Sequence, residues 1–334
     1  MKNSIYLLGI LAVACSPQNE PSETAPQKVL EGNVGYPSEL QIESLNELEV
    51  MDDALNFYVI GDWGRNGYFH QKDLAETMNQ AAFVIEPEFI ISTGDNFYDN
   101  GVASVDDSQW ETSFENIYTG NFLQVPWYVV LGNHDYRTNP QAEIDYSKKS
   151  ARWTMPSRYW FTDMSLEEEG DVRFLFLDTS PCEDEYYSEE KYRNVWSQDS
   201  TKQLEWMDSV LAVTTQDWRI AIGHHPLYTG GKRANDPAYV RSHVERYFDQ
   251  YTVHAYFCGH EHDLQHIKPV GHPTHHFVSG AGAEVRPTGE IEGTHFAQSE
   301  TGFMIVSLTQ DIMLVQAVNW RGEVLYSTKI ERAE

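Results

Sequence analysis

Phe89-Ile90-Ile91-Ser92-Thr93-Gly94-Asp95-Asn96-Phe97-Tyr98-Asp99-Asn100-Gly101 opens as a short apolar run and breaks at a glycine. Four residues rich in β-branched and aromatic side chains, bounded by turn residues, read as a buried strand. Gly94 lets the chain turn sharply and approach a ligand, and Asp95 and Tyr98 follow it with ligand-type side chains. The same rhythm recurs on both sides. Leu55–Ile60 runs into Gly61-Asp62-Trp63-Gly64, and Trp127–Leu131 into Gly132-Asn133-His134-Asp135. Trp218–Ile222 runs into Gly223-His224-His225-Pro226, and Ala255–Phe257 into Gly259-His260-Glu261-His262. Val172–Leu177 is a further strand ending at Asp178, and the tail from Gly302 to Ile330 reads as three strands in succession. Between them, helical spacing marks residues 69–85 (Leu74, Met78, Ala81, Ala82, Ile85), 200–212 and 238–251. Strands alternating with helices make an α/β domain, in which ligands collect outside the carboxyl ends of the strands.

Five such strand ends deliver Asp62, Asp95, Tyr98, Asn133, His134, His224, His260 and His262. One Gly-Asp pair is an ordinary turn; five apolar runs ending alike are a constellation. Two carboxylates, an amide oxygen, three imidazoles and a phenol exceed what one tetrahedral zinc takes. They suit two cations about 3.5–4 Å apart that share a bridging ligand. Asp95, central in the order, is the candidate bridge. Such a pair binds phosphate oxygens and acidifies a water molecule.

The ordered blocks Gly61–Gly64, Gly94–Gly101, Gly132–Tyr136, Gly223–Pro226 and Cys258–His262 resemble the purple acid phosphatases. The likeness is closest to the small tartrate-resistant type within the calcineurin-like metallophosphoesterases, and it runs over about residues 55–310. Tyr98, three residues after Asp95, is what sets that group apart. The resemblance implies a four-layer α/β/β/α sandwich of two mixed sheets flanked by helices. It implies Fe(III) held by Asp62, Tyr98 and His262, with Fe(II), Zn(II) or Mn(II) held by Asn133, His224 and His260 and Asp95 bridging. It further implies hydrolysis of small phosphate monoesters by a metal-activated hydroxide, with Asn133 and His134 at the reacting phosphate and His134 as the candidate proton donor. His225 reads as packing. The loop 227–233 lacks the histidine that mammalian-type relatives carry there; Lys232 or Arg233 holds phosphate, or the loop is simply solvated. Two rival readings are a phosphodiesterase acting on nucleotide or lipid-linked esters, and a surface binding lipoprotein whose metal site is structural.

The rest of the chain narrows the partners. Lys and Arg number 23 against 51 Asp and Glu, a net −28, which argues against nucleic acid and anionic lipid as charge partners. Lys2, the apolar run Ile5–Ala14 and Cys15 read as a signal peptide (1–14) followed by a lipidated cysteine, hence an exported, membrane-anchored protein, or a periplasmic or secreted one where the signal is an ordinary secretory signal. Residues 15–50, poor in aromatics and rich in Pro, Glu, Gln and Ser, read as a flexible tether to a 51–334 metallophosphoesterase domain. Eleven of the 13 histidines lie between His224 and His295. Outside the blocks they are expected to be structural, as is Gly280-Ala281-Gly282; Glu183-Asp184-Glu185 is expected to be a solvated loop, and Cys182 and Cys258 two thiols.

Overall fold

The computed structural model describes residues 43–166, 169–236 and 239–332. The signal segment, Cys15 and most of the tether lie outside these residues. In chain order the first elements are β1 (Leu55–Ile60), α1 (Gln71–Ile85), β2 (Phe89–Ser92), β3 (Trp127–Val129), α2 (Pro140–Tyr146) and β4 (Trp153–Thr154). Then follow β5 (Trp160–Ser165), β6 (Asp171–Phe176), α3 (Ser200–Ala212), β7 (Trp218–Ile222), α4 (Tyr239–Gln250) and β8 (Ala255–Cys258). The chain ends in β9 (Leu264–Ile267), β10 (His275–Ser279), β11 (Thr294–Gln298), β12 (Gly302–Leu308), β13 (Ile312–Asn319) and β14 (Val324–Glu331). They make two seven-stranded mixed sheets, in the orders β14-β13-β12-β1-β2-β3-β4 and β11-β9-β10-β8-β7-β6-β5.

The period of two along each strand builds the layers. In β1, Leu55, Phe57 and Val59 face the second sheet, while Tyr58 and Ile60 face outward onto α1 with its Leu74, Met78, Ala81 and Ile85. In β8, Ala255 and Phe257 point inward, while Tyr256 and Cys258 meet Met207 of α3 and Val244 and Phe248 of α4. Between the sheets, Phe57 stacks on Phe89 at 5.0 Å and meets Phe174 edge-on at 5.4 Å. The result is the expected α/β/β/α sandwich. Its two parallel cores, β1-β2-β3 and β6-β7-β8, bring their carboxyl ends to one rim.

Boundaries differ from the sequence reading in instructive places. α1 begins at Gln71 rather than at residue 69, because Phe69 and His70 take left-handed conformations (φ 54° and 63°) that no helix continues. α3 spans the expected residues, and the Asp199 side chain caps it by accepting from Thr201 N. Residues 43–50 depart from the tether reading. Glu43–Glu47 forms a 3-10 turn whose Leu45 and the following Leu48 are buried in the outer core. Glu49 exchanges two 2.9 Å hydrogen bonds with the Gln316 side chain. Two leucines in a polar stretch are enough to dock it, and averaged composition hides them.

Candidate metal centre

At three strand ends the ligand-type residue itself is left-handed: Asp62 (φ 58°), Asp95 (φ 50°) and His260 (φ 68°). Such a conformation costs a non-glycine residue about 1 kcal/mol or more and persists only where surroundings enforce it. Here it folds each side chain back over the rim. All seven residues expected to hold metal are brought together there, and all are buried.

They form two adjoining groups. Tyr98 Oη lies 2.7 Å from Asp62 Oδ1, 3.0 Å from Asp95 Oδ2 and 3.0 Å from His262 Nε2. His224 Nε2 lies 3.1 Å from His260 Nδ1, 3.3 Å from Asn133 Oδ1 and 3.4 Å from Asp95 Oδ1. Asp95 thus turns one oxygen to each group. His224 Nδ1 donates to the Thr93 carbonyl at 2.9 Å, so its Nε2 is the nitrogen turned toward the site. Asn133 Nδ2 donates to the Tyr192 hydroxyl at 2.8 Å, so its oxygen faces the same point. In this cluster of acceptors only the protons of the phenol and of an imidazole separate the facing lone pairs, and a cation would take the place of those protons. This donor set therefore fits two cations: a phenol and carboxylates for a hard ion, imidazoles and an amide for a divalent one.

The electrostatics agree. Burial works to raise the Asp95 carboxyl, but the His224 and His134 imidazoles outweigh it and hold Asp95 well below its ordinary range. Burial opposes charging of His224, yet Asp95 and Asp62 lift it to about 9. Burial, then Asp62 and Asp95, push the Tyr98 phenol up. His260, buried and beside His225, Arg233 and His224, is held well down. Negative and lone-pair density concentrated in a desolvated pocket is the field a metal ion neutralises.

His134 stands at the rim, its side chain 16% exposed. Its Nδ1 bonds the Asp99 carbonyl at 2.6 Å, and its Nε2 lies 3.9 Å from Asp95 Oδ2. His225 lies near His224 and His260, but Nδ1 bonds Thr179 Oγ1 and Nε2 the Tyr186 hydroxyl, each at 2.8 Å. Both nitrogens are engaged, so it is a wall of the site. Arg233 is half-buried on a loop whose Lys232 and Ala234 are exposed. Glu261, fully buried, accepts from the Lys232 and Arg233 amides at 3.0 Å and from the Arg233 guanidinium at 3.2 Å. Gly280 is structural as expected, since a Cβ there would stand 2.1 Å from the Glu261 carbonyl oxygen. Glu183 departs from the solvated-loop reading: it is half-buried, and burial lifts it to about 8. Cys182 and Cys258 are buried free thiols.

Sequence reasoning passed over the supporting residues. Asp135 accepts from Gly132 N at 2.8 Å, Asn96 N at 3.0 Å and Phe97 N at 3.2 Å, tying the Asp95 and Asn133 loops together. Tyr192 and Glu261 act similarly on Asn133 and on the 230–233 loop. Asp135 and Glu261 sit inside the quoted blocks, where a carboxylate beside a ligand is the available signal; Tyr192 has none.

Residues 55–264 match the calcineurin-like phosphoesterase family. The chain is 34% identical over 290 residues to purple acid phosphatase 17 of Arabidopsis thaliana, covering 82% of this chain and 84% of that protein. It is 30% identical over 306 residues to tartrate-resistant acid phosphatase type 5 of Homo sapiens, covering 84% and 91%. Among solved structures it superposes on GAP50, the anchor in the inner membrane complex of Plasmodium, with TM-score 0.73, 22% identity and coverage of 85% and 90%. On the purple acid phosphatase PPD1 of yellow lupin the TM-score is 0.63 at 18% identity, covering 84% and 54%. These two superpositions carry the fold alone. Sequence likeness over most of the chain carries the kinship: the protein belongs to the purple acid phosphatases of the calcineurin-like phosphoesterases, metal-dependent enzymes that hydrolyse phosphate esters.

Proposed function

We propose that the chain is an exported acid phosphatase for small phosphate monoesters. Asp62, Tyr98 and His262 hold Fe(III), Asn133, His224 and His260 hold Fe(II), Zn(II) or Mn(II), and Asp95 lies between. The observation that carries this is the Tyr98 hydroxyl, within 3.0 Å of donor atoms from Asp62, Asp95 and His262. When bound, the cations supply charge neutralisation for phosphoryl oxygens and an acidified water. The protein supplies aim. Thr93 and Tyr192 orient His224 and Asn133, and the His134 Nε2 edge contacts the phosphate and stands where a departing alkoxide would need a proton. A cavity of about 180 Å³ opens beside His260, lined among others by Tyr186, His225 and Arg233, and has room for a small alcohol group. Residues 1–14 are read as a signal and Cys15 as a lipidated anchor.

Metal analysis with a visible spectrum tests the centre. Iron and a broad visible band that disappears in Tyr98→Phe are expected; a colourless protein holding only manganese or zinc would overturn the ferric assignment. Turnover of nitrophenyl phosphate should exceed that of the corresponding diester, and a strong diester preference would overturn the monoester assignment. Radiolabelled fatty acid should enter the wild-type chain and not Cys15→Ala.

A further inference from the structure

Arg65 directly follows the Gly61–Gly64 block, and its guanidinium carbon lies 3.6 Å from the centroid of the Tyr98 ring. Two carboxylates hold it there: Nη1 donates to Asp99 Oδ1 and Nη2 to Glu284 Oε2, each at 2.8 Å. The Arg65 side chain is 14% exposed, whereas Asp99 and Glu284 are 73% and 40% exposed. Its Nε is buried with no hydrogen-bond partner. Ion pairs to carboxylates this exposed are worth little by themselves, and the orphaned Nε is a cost. An apolar side chain would cover the ring without that cost. What the arginine adds is a fixed positive charge over the face of the phenol aimed at Asp62, Asp95 and His262.

We propose that Arg65 is a positioning residue that sets how strongly Tyr98 donates electron density to the ferric ion, an inference that rests on the ferric assignment above. A positive charge over the ring lowers the filled π orbital from which the charge-transfer electron leaves. It would lie closer to that ring than to an ion held beyond the phenolic oxygen, so the donor orbital would drop further than the acceptor. The transition energy rises, and the phenolate becomes a weaker donor. Removing the charge must move the band to lower energy and make the iron harder to reduce.

The test compares iron-loaded wild type with Arg65→Met and Arg65→Lys. Activity alone does not discriminate, because Asp99 also carries the carbonyl that holds His134. In Arg65→Met the visible maximum should move to longer wavelength, and the reduction potential should fall. Arg65→Lys, which keeps a charge without the planar fork, should lie between the two. Thermal midpoints check that all three proteins are folded. A coloured wild type whose band stays put in Arg65→Met, or shifts equally in both variants, overturns the role of Arg65 and leaves the ferric assignment standing. An iron-loaded wild type without colour overturns both.

Discussion

The Asn133 side chain reaches its site through a tyrosine far along the chain. An amide can present oxygen or nitrogen to a cation, and only oxygen binds; the hydrogen bond from Nδ2 to Tyr192 makes that choice. Tyr192→Phe frees the amide to turn while leaving every proposed ligand in place. Affinity for the second, divalent metal should fall about 10- to 100-fold, as second-layer losses usually do. Titrating activity with divalent metal measures it, and excess metal should restore most of the turnover; an unchanged titration curve would remove Tyr192 from the account. Asp135→Ala strips the acceptor from three backbone amides at once, leaving buried donors unpaired, and should cost about 3 kcal/mol or more in chemical unfolding. The seven proposed ligands were legible in the sequence because each follows an apolar run and a turn. Their supports were not: the Thr93 carbonyl has no residue-type signature, and Tyr192 lies 59 positions from Asn133.

Loops at neighbouring strand ends approach so closely that a methyl group does not fit between them. A Cβ on Gly132 would stand 2.1 Å from Asp95 N and 2.2 Å from Asp95 Oδ1, distances no real contact shows. Gly132→Ala should therefore displace the proposed bridge and lower kcat at least about 100-fold, since displacements near 1 Å cost that much. The circular dichroism spectrum should stay near wild type; retained activity would mean the two loops are free to separate. Elements with a clear period were readable: α3, β1 and β7 appear where spacing put them. The edge strand β5, alternately half-buried and exposed, carries Thr162, Asp163 and Ser165 among its apolar residues and gave no continuous run. β9 buries Gln265 and His266, residue types that argue against a core strand until their partners Thr229 and Tyr326 are in place. Local pattern reveals an element when burial is one-sided and apolar. It fails where a distant polar partner makes burial possible.

Over the whole molecule, a chain of net charge −28 keeps a layer of uncharged histidines under its second sheet. His276 is buried, packs near Tyr228 and Tyr256, and leaves Nδ1 without a partner. Burial, then Lys268, His275, His272 and Arg241, hold it down to about 3. His254, similarly placed, falls to about 4 through burial and Arg219. An unfolded histidine titrates near 6.5, so between that pH and about 3 the unfolded chain binds a proton at position 276 that the folded chain refuses. The folded value is depressed, so this contribution to stability is fully present above pH 6.5 and is lost as pH falls. The loss is about 1.4 kcal/mol per pH unit, or about 2 kcal/mol by pH 5. Some buried carboxyls run the other way: Asp178, raised to about 6 by burial, favours the folded state as pH drops, so the net slope of the wild type does not isolate the histidine. A difference does. In His276→Phe, unfolding free energies by denaturant at pH 7, 6 and 5 should decline less than in wild type, the gap between the two slopes opening to about 2 kcal/mol at pH 5. Parallel declines would mean that His276 already carries its proton in the fold, and that something other than this layer sets the acid limit of the enzyme.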